Sequence, residues 1–204
     1  MHSVLPNWAG ETVLVAATGP SLEWKDLQYA RGKVKTIVVN DAYSIAPWAD
    51  ILYASDAQWW DAHGYVREFR GRRWSHDRNG STWPHRAASA KIDLIQGANG
   101  IGISTDPHII YFGGNSGFQA MHLAVNMGAK TILLTGFDCG TWGGKSHFFG
   151  EHPQRIRKIS PYPMFRQAFN VASEHLVKMG VNVINCSRMT TINCFPKARL
   201  VDVI

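Results

Sequence analysis

The chain has 204 residues, of which 45% are hydrophobic and 18% charged, and its formal net charge is +6. This length and composition suit one folded domain and exclude wholesale disorder. No apolar run is long enough to span a bilayer, the N-terminus lacks the pattern of a secretory signal, and the three cysteines have no metal-ligand spacing, so we expect a cytoplasmic protein with reduced thiols.

Apolar runs that end in polar turns alternate with helical patterns in the first third of the chain. Strands are predicted at Thr12–Ala17, Thr36–Asn40 and Ile51–Ala54. Ser21 is a good N-cap for a helix after the first strand, and a second helix follows Asp56. This alternation predicts a parallel sheet with right-handed crossovers.

The segment 64–112 is less regular. Two short apolar pieces, Ile92–Ile95 and Ile109–Phe112, predict one or two strands within an irregular insertion or lid-like region. The segment also carries a cluster of basic residues interleaved with tryptophan, including Arg70, Arg72 and Arg73. Such a cluster binds nucleic acid or phosphate groups, or is a solvated basic face, and composition does not decide between these.

The regular pattern returns at Asn115. Either Asn115 or Ser116 caps a helix that Gly128 ends, and Thr131–Thr135 is the next strand. A helix is predicted at Tyr162–Met179 and a strand at Val181–Asn185. The fold class is therefore α/β: a single domain over residues 1–204, with a Rossmann-like parallel sheet and helices on both faces.

Two glycine-containing turns stand between a strand and a helix. They are Thr18-Gly19-Pro20-Ser21 and Asn115-Ser116-Gly117. Backbone amides at a helix N-terminus bind phosphate, although a tight strand–helix turn explains the first equally well. Neither turn is a Walker loop or a complete dinucleotide fingerprint. We expect one ligand to contact both turns.

Polar side chains also end two neighbouring predicted strands. Asn40 and Asp41 follow the second strand, and Ser55 and Asp56 follow the third. Asn40 and Ser55 suit contacts with a nucleoside. Asp41 and Asp56 suit a ribose hydroxyl or Mg²⁺ beside phosphates, while helix capping is the simpler explanation for Asp56.

The loop 136–153 holds candidate catalytic groups. These are Asp138, His147, Glu151 and His152. Histidine titrates near neutral pH and is a common general base, and a neighbouring acid can orient it. Metal binding by the histidines and Asp138 is an alternative without a strong spacing motif, and packing among Phe148 and Phe149 is another.

Together these motifs resemble the family 42 bacterial sialyltransferases and the broader group related to the archaeal-type hydroxymethylpterin pyrophosphokinase. The resemblance is carried by Gly19–Leu22, Asn40, Asn115–Gly117, and Gly136 with Asp138. The segment His147–His152 is similar to the stretch that holds the sialyltransferase general base, and this similarity makes His152 the favoured base and His147 the reserve. Short phage and prophage proteins of unknown role are also similar, across residues 113–196.

The resemblance implies a transferase that uses a nucleotide or nucleotide-sugar donor, with a histidine base and with Asp138 shaping the loop. One alternative is Mg²⁺-dependent pyrophosphate transfer from ATP. Another is a non-catalytic phage protein that binds nucleotides or nucleic acid. Modified DNA or a nucleotide is a conceivable acceptor, bound through Arg70, Arg72 and Arg73, in the host cytoplasm if the protein is phage-encoded. The oligomeric state stays open, a homo-oligomer included.

Overall fold

The computed structural model describes residues 2–151 and 160–204. The strands within these residues are β1 (Thr12–Ala16), β2 (Lys35–Val39), β3 (Ile51–Tyr53), β4 (Arg72–His76), β5 (Asp93–Ala98), β6 (Ile109–Tyr111), β7 (Thr131–Thr135) and β8 (Asn182–Asn185). They form one sheet in the order β6-β5-β4-β3-β2-β1-β7-β8, and every neighbouring pair is parallel.

Helices cover both faces of this sheet. They are α1 (Trp24–Ala30), α2 (Ala57–Ala62), α3 (Trp83–Ser89), α4 (Ser116–Asn126) and α5 (Tyr162–Lys178), with short 3-10 turns at Asn40–Ser44, Gly64–Val66 and Leu200–Asp202. Buried residues of α1, α2 and α3 belong to one core cluster, and those of α4 and α5 belong to the other. The predicted Rossmann-like α/β fold is confirmed.

Burial on both faces explains the composition of the central strands. In β1, Val13 and Val15 belong to the core under α4 and α5, whereas Leu14 and Ala16 belong to the core under α1 to α3. Successive side chains of a strand point to opposite faces, so a strand covered on both sides must be apolar throughout.

The connections of β1 and β7 leave the sheet on opposite faces. The helix after β1 packs on one core and the helix after β7 packs on the other, while the two strands themselves pair from Thr12↔Thr131 to Ala16↔Thr135. In open α/β sheets a crevice forms outside the carboxyl ends of such a strand pair. This topology places a crevice between the turns that follow β1 and β7.

Two sequence-based expectations were wrong. The segment 64–112 contains three strands, β4 to β6, and helix α3, so it extends the sheet instead of interrupting it. Strand β4 was missed because it begins with two arginines and buries only Trp74, Ser75 and His76. Ser21 caps no helix, since α1 begins three residues later with Glu23 at its N-cap.

Among the residues that the structure describes, no helix combines the length and apolar character needed to cross a bilayer.

Candidate ligand-binding cleft

A cleft of about 530 Å³ opens along the carboxyl ends of β4, β3, β2, β1 and β7. It gathers most of the residues predicted from sequence to form a site: Thr18, Gly19, Asn40, Ser55, Asp56, Asn115, Ser116, Gly117, Asp138 and His147. Pro20 and Ser21 are not part of its wall. His152, the favoured base, lies outside the described residues.

The turns after β1 and β7 are bonded to each other. The amide of Gly19 donates to the carbonyl of Gly136 at 2.8 Å. The amide and the hydroxyl of Ser21 each donate to one oxygen of Asp138 at 2.7 Å. The amide of Leu22 also donates to the carbonyl of Gly19. Few N–H groups of this turn therefore remain for a ligand. Of the amides that Thr18–Ser21 was expected to offer to phosphate, those of Gly19 and Ser21 are therefore already paired.

Asp138 is a positioning group in this arrangement. Its side chain is buried, with 4% of the residue exposed, and both carboxylate oxygens are occupied by Ser21. Burial raises the pKa of Asp138, and the two hydrogen bonds from Ser21 act in the opposite direction. The role predicted for Asp138 in shaping the loop fits these contacts, whereas proton transfer does not use them.

Gly19 permits the close approach of the two turns. A Cβ atom at this position would lie 2.5 Å from the carbonyl oxygen of Gly136 and 2.6 Å from the carboxyl carbon of Asp138. Because one of these atoms belongs to the backbone, no side-chain rotation would relieve the contact.

The N-terminus of α4 lies at the wall of the cleft. Asn115, one of the two caps that the sequence allowed, is the N-cap, and its side chain accepts from the amide of Phe118 at 2.8 Å. The amides of Ser116 and Gly117 make no hydrogen bond within the described residues. Both residues line the cleft, so the positive end of an 11-residue helix faces it.

Ser116 also ties α4 to the end of β3. Its hydroxyl lies 2.8 Å from the hydroxyl of Ser55 and accepts from the amide of Ser55 at 3.3 Å. The carbonyl of Ser55 accepts from Asn79 at 2.6 Å. Ser55 therefore acts mainly in positioning, while one of the two serine hydroxyl hydrogens remains for a ligand.

Asn40 stands apart from these paired groups. It is held at φ 48°, in the left-handed region that non-glycine residues seldom adopt. Its side-chain amide lines the cleft and makes no hydrogen bond to any described residue. Strained backbone together with an unpaired amide is typical of a ligand contact.

His147 lies at the β1 end of the cleft. Its Nδ1 is 3.1 Å from the hydroxyl oxygen of Thr18, and its ring stacks on Phe149 with centroids 5.0 Å apart. If Nδ1 donates to Thr18, then Nε2 is the basic nitrogen of the ring. This is the orientation a general base requires.

Sequence reasoning missed the β4 end of the cleft. His76, Arg78 and Asn79 line it there, and Phe112, Gln119 and Tyr162 line other parts of its wall. Their signal was weak because β4 itself was not predicted and none of the six belongs to a motif. Cys139 also lines the cleft, but burial raises the pKa of its thiol to about 12, so it is no thiolate nucleophile at neutral pH.

The arginines predicted to bind an acceptor lie elsewhere. Arg72 and Arg73 begin β4, at the amino edge of the sheet, whereas the cleft lies at the carboxyl edge. Arg72 pairs with Asp93 at 2.8 Å and stacks on Trp74, and Arg73 donates to the carbonyl of Tyr65. Arg70, Arg72 and Arg73 therefore do not contact a molecule held in this cleft.

The carboxylates expected to hold Mg²⁺ do not converge. Asp41 accepts from Trp59 Nε1 at 2.9 Å and from His63 at 3.0 Å, and Asp138 is occupied by Ser21. Within residues 2–151 and 160–204, no group of three or more His, Cys, Asp and Glu side chains could hold a metal ion. Asp41 and Asp138 are therefore engaged by protein donors, whereas Asp56, the third expected carboxylate, lines the cleft.

Comparisons of the chain with protein-family models, with curated proteins and with solved structures found no match. The resemblance to sialyltransferases therefore stays a prediction.

Proposed function

We propose that this protein is a transferase that uses a nucleotide-activated donor and transfers a glycosyl group to an acceptor hydroxyl. The observation that carries the proposal is the composition of the cleft at the strand-pair crevice. The N-terminus of α4 and the unpaired side-chain amide of Asn40 line one part of the cleft, and His147 lines another part.

The phosphate of the donor fits the N-terminus of α4. The amides of Ser116 and Gly117 and the helix dipole favour an anion there. A hydroxyl hydrogen of the Ser55–Ser116 pair adds one more donor. Asn40 supplies amide donors on the adjacent strand end. These groups would stabilise the negative charge that the leaving phosphate gains during transfer.

In the proposed reaction, Nε2 of His147 takes the proton of an acceptor hydroxyl. The hydroxyl oxygen then bonds to the sugar carbon while the bond from that carbon to the phosphate oxygen breaks, and the nucleotide leaves with the electron pair. In the tautomer that carries its proton on Nδ1, Thr18 accepts from Nδ1 and Nε2 is the basic nitrogen. Its hydroxyl is a positioning group for this step.

Nucleotide binding is the first test. We expect one of CMP, UDP, GDP and ATP to raise the melting temperature, by about 5–10 °C at a hundred times its Kd, because binding there stabilises the folded state by about 2.7 kcal/mol. The matching nucleosides should give a much smaller shift, since they lack the phosphate. A panel in which no nucleotide changes the melting temperature would remove the proposal.

The base assignment is tested at Thr18 and the two histidines. With an active donor–acceptor pair, Thr18→Val should lower kcat about tenfold, while Thr18→Ser keeps the hydroxyl and most of the activity. Alanine at the histidine that acts as base should lower kcat by about 10²- to 10⁴-fold. Full turnover in both His147→Ala and His152→Ala would show that neither is the base.

The two alternatives have less support. Pyrophosphate transfer from ATP requires Mg²⁺, and two of the three expected carboxylates, Asp41 and Asp138, are engaged by protein donors. It would stop on addition of a chelator, whereas the proposed glycosyl transfer would continue. A non-catalytic nucleotide-binding protein would bind normally when His147 is replaced and would turn over no donor.

A further inference from the structure

His76 is a buried donor that the proposed transfer does not use. The residue ends β4, is 7% exposed and lines the cleft. Its Nδ1 accepts from the amide of Arg78 at 3.0 Å, so the neutral imidazole carries its proton on Nε2. That Nε2–H meets no acceptor among the described residues, and it is not one of the unpaired side-chain atoms that the fold encloses completely. An unpaired donor of a buried side chain is therefore accessible from the cleft.

The surroundings of His76 keep its ring neutral and place an apolar surface beside it. Burial lowers the pKa of His76, although the charges of Asp77 and Asp56 act in the opposite direction. The ring of Phe112 packs against the imidazole with centroids 4.8 Å apart. Gly97 leaves room for this contact, since a Cβ atom there would lie 2.5 Å from the ring of Phe112.

Arg78 adds a second set of donors at the same end of the cleft. Its side chain is 65% exposed, it lines the cleft, and its Nε donates to the carbonyl of Gly97 at 3.3 Å. Its two Nη groups make no hydrogen bond within residues 2–151 and 160–204. Asp77 lies 3.9 Å from Nε but does not line the cleft, and its oxygens accept from the amide of Gly97 and from His2. The Nη groups therefore remain for a ligand.

The acceptors at the β4 end of the cleft already have partners. The carbonyl of Ser55 accepts from the side chain of Asn79 at 2.6 Å. The side-chain oxygen of Asn79 in turn accepts from the amide of Ala57 at 3.4 Å. Asp56 also lines the cleft, and it already takes part in an interaction within the chain. Because the remaining side-chain groups are donors, this end suits a ligand edge that presents acceptors.

We propose that His76 and Arg78 select the base of the donor nucleotide, and that they favour a keto oxygen at the position where adenine and cytosine carry an amino group. The base lies with one face against Phe112. A keto oxygen accepts from these donors, whereas an amino group turns its own N–H groups against them. Guanine, hypoxanthine and uracil have the required oxygen. This assignment rests on the proposed function, which places the phosphate at the N-terminus of α4.

The sheet order gives the base and the reacting group separate places. Strand ends are about 4.8 Å apart, so the end of β4 lies about 14 Å from the end of β1. The N-terminus of α4 stands between them, because Ser116 bonds to Ser55 at the end of β3 and Gly117 approaches Phe137 after β7. From a phosphate held there, the base extends toward β4 and the transferred group extends toward His147.

Calorimetry with two pairs of nucleoside diphosphates tests the assignment. IDP and ADP share the ribose, the phosphates and N7, and they differ in the keto or amino group and in the proton on the adjacent ring nitrogen. UDP and CDP differ in the same way. In whichever pair contains the tighter ligand, the wild-type protein should bind the keto member about tenfold more tightly, because an amino group would leave the donors of His76 and Arg78 unpaired.

Replacing either donor should reduce this ratio. In His76→Asn the side-chain oxygen can still accept from the amide of Arg78, but the Nε2–H donor is gone, so the ratio should fall to about threefold. Arg78→Ala should lower it by a similar factor, and the double variant should show a ratio near unity. His76→Gln carries an amide donor close to the place of Nε2–H, so it should keep a larger ratio than His76→Asn, which a merely structural role of His76 would not produce.

His85→Asn and Arg70→Ala are the matched controls. Both residues are exposed and neither lines the cleft, so their replacement should leave the tenfold ratio unchanged. Because the readout is a ratio of two affinities in one variant, a general loss of stability in His76→Asn does not imitate the expected result. The exposed Arg78 gives a second variant that should fold normally.

The outcomes separate this inference from the proposed function. Equal binding within the tighter pair, tighter binding of its amino member, or an unchanged ratio in either single variant overturns the selection of the base and leaves the nucleotide donor in place. If no nucleotide binds, inosine is compared with adenosine, and uridine with cytidine. A keto preference that depends on His76 then upholds the base site and refutes the nucleotide donor, whereas equal or absent binding of these nucleosides refutes both.

Discussion

The two halves of the cleft satisfy their polar groups in different ways. In the β1–β7 half, the polar groups of the turns bond to each other, as Gly19 does to Gly136 and Ser21 does to Asp138. In the β2–β4 half, Asn40 and Nε2 of His76 have no partner among the described residues. The first half is an internal clamp, and the second presents donors to the cleft.

This difference separates structural motifs from ligand contacts. The short motifs that stand out in the sequence, the turn at Thr18–Ser21 and the acid after Gly136, are used to hold two chain segments together. Of the unpaired side chains, His76 belongs to no motif, and Asn40 is a single polar residue that follows a strand. Replacing residues of the clamp should therefore cost stability, and replacing residues of the open half should cost affinity with little change in stability.

The largest loss of stability is expected for Gly19→Ala. The added Cβ would lie 2.5 Å from the carbonyl of Gly136, and the two turns would have to separate, so we expect the free energy of unfolding to fall by about 3 kcal/mol. Gly140→Ala is the matched control in the same loop, because a Cβ there meets nothing closer than 3.7 Å. Urea denaturation of the two variants measures the difference, and equal stability of both would contradict a tight clamp.

Asp138→Ala should have the next largest effect. It removes two hydrogen bonds to a charged acceptor and leaves the amide of Ser21 without a partner, a loss of about 2–3 kcal/mol. The exposed carboxylate Asp56 provides the contrast, since Asp56→Ala should lower stability by less than Asp138→Ala, because the side chain of Asp138 is buried. Thermal or urea unfolding measures the loss of stability in both variants. A larger loss in Asp56→Ala than in Asp138→Ala would contradict the comparison.

The sequence predicted those parts of the fold whose signals are local. Apolar runs located β1, β2, β3 and β7. The start of α4 was located to within one residue, since Asn115 was one of the two candidate caps and its side chain accepts from the amide of Phe118, three residues later. Strand β4 was not recognised, since its burial depends on β3 and β5 pairing on either side and its own first residues are arginines.

The candidate site was predictable to a similar extent. That polar strand ends meet at one edge follows from a parallel sheet, which is why Thr18, Asn40 and Ser55 were expected together. What those groups bond to depends on distances across the edge, and no local pattern encodes them. The occupation of the Ser21 amide by Asp138, 117 residues away, could not be read from either segment.

Replacement of Asn40 should have the smallest effect on stability. It should also distinguish most clearly between a structural role and a role in ligand binding. Asn40→Gly relieves the strain of φ 48° but adds freedom to the unfolded chain, so the free energy of unfolding should change by less than about 1 kcal/mol. Nucleotide affinity should fall about three- to tenfold, because the side-chain amide is lost.

Lys91→Gly isolates the backbone contribution of that change. Lys91 is exposed, has φ 56° and lies away from the cleft, so it should show a similar small change in stability and no change in nucleotide affinity. Calorimetry gives the nucleotide affinity of both variants, and urea unfolding gives the stability of both. If Asn40→Gly lost stability and kept its affinity, Asn40 would belong with the clamp, and the division of the cleft into a structural half and a ligand-facing half would fail at its central residue.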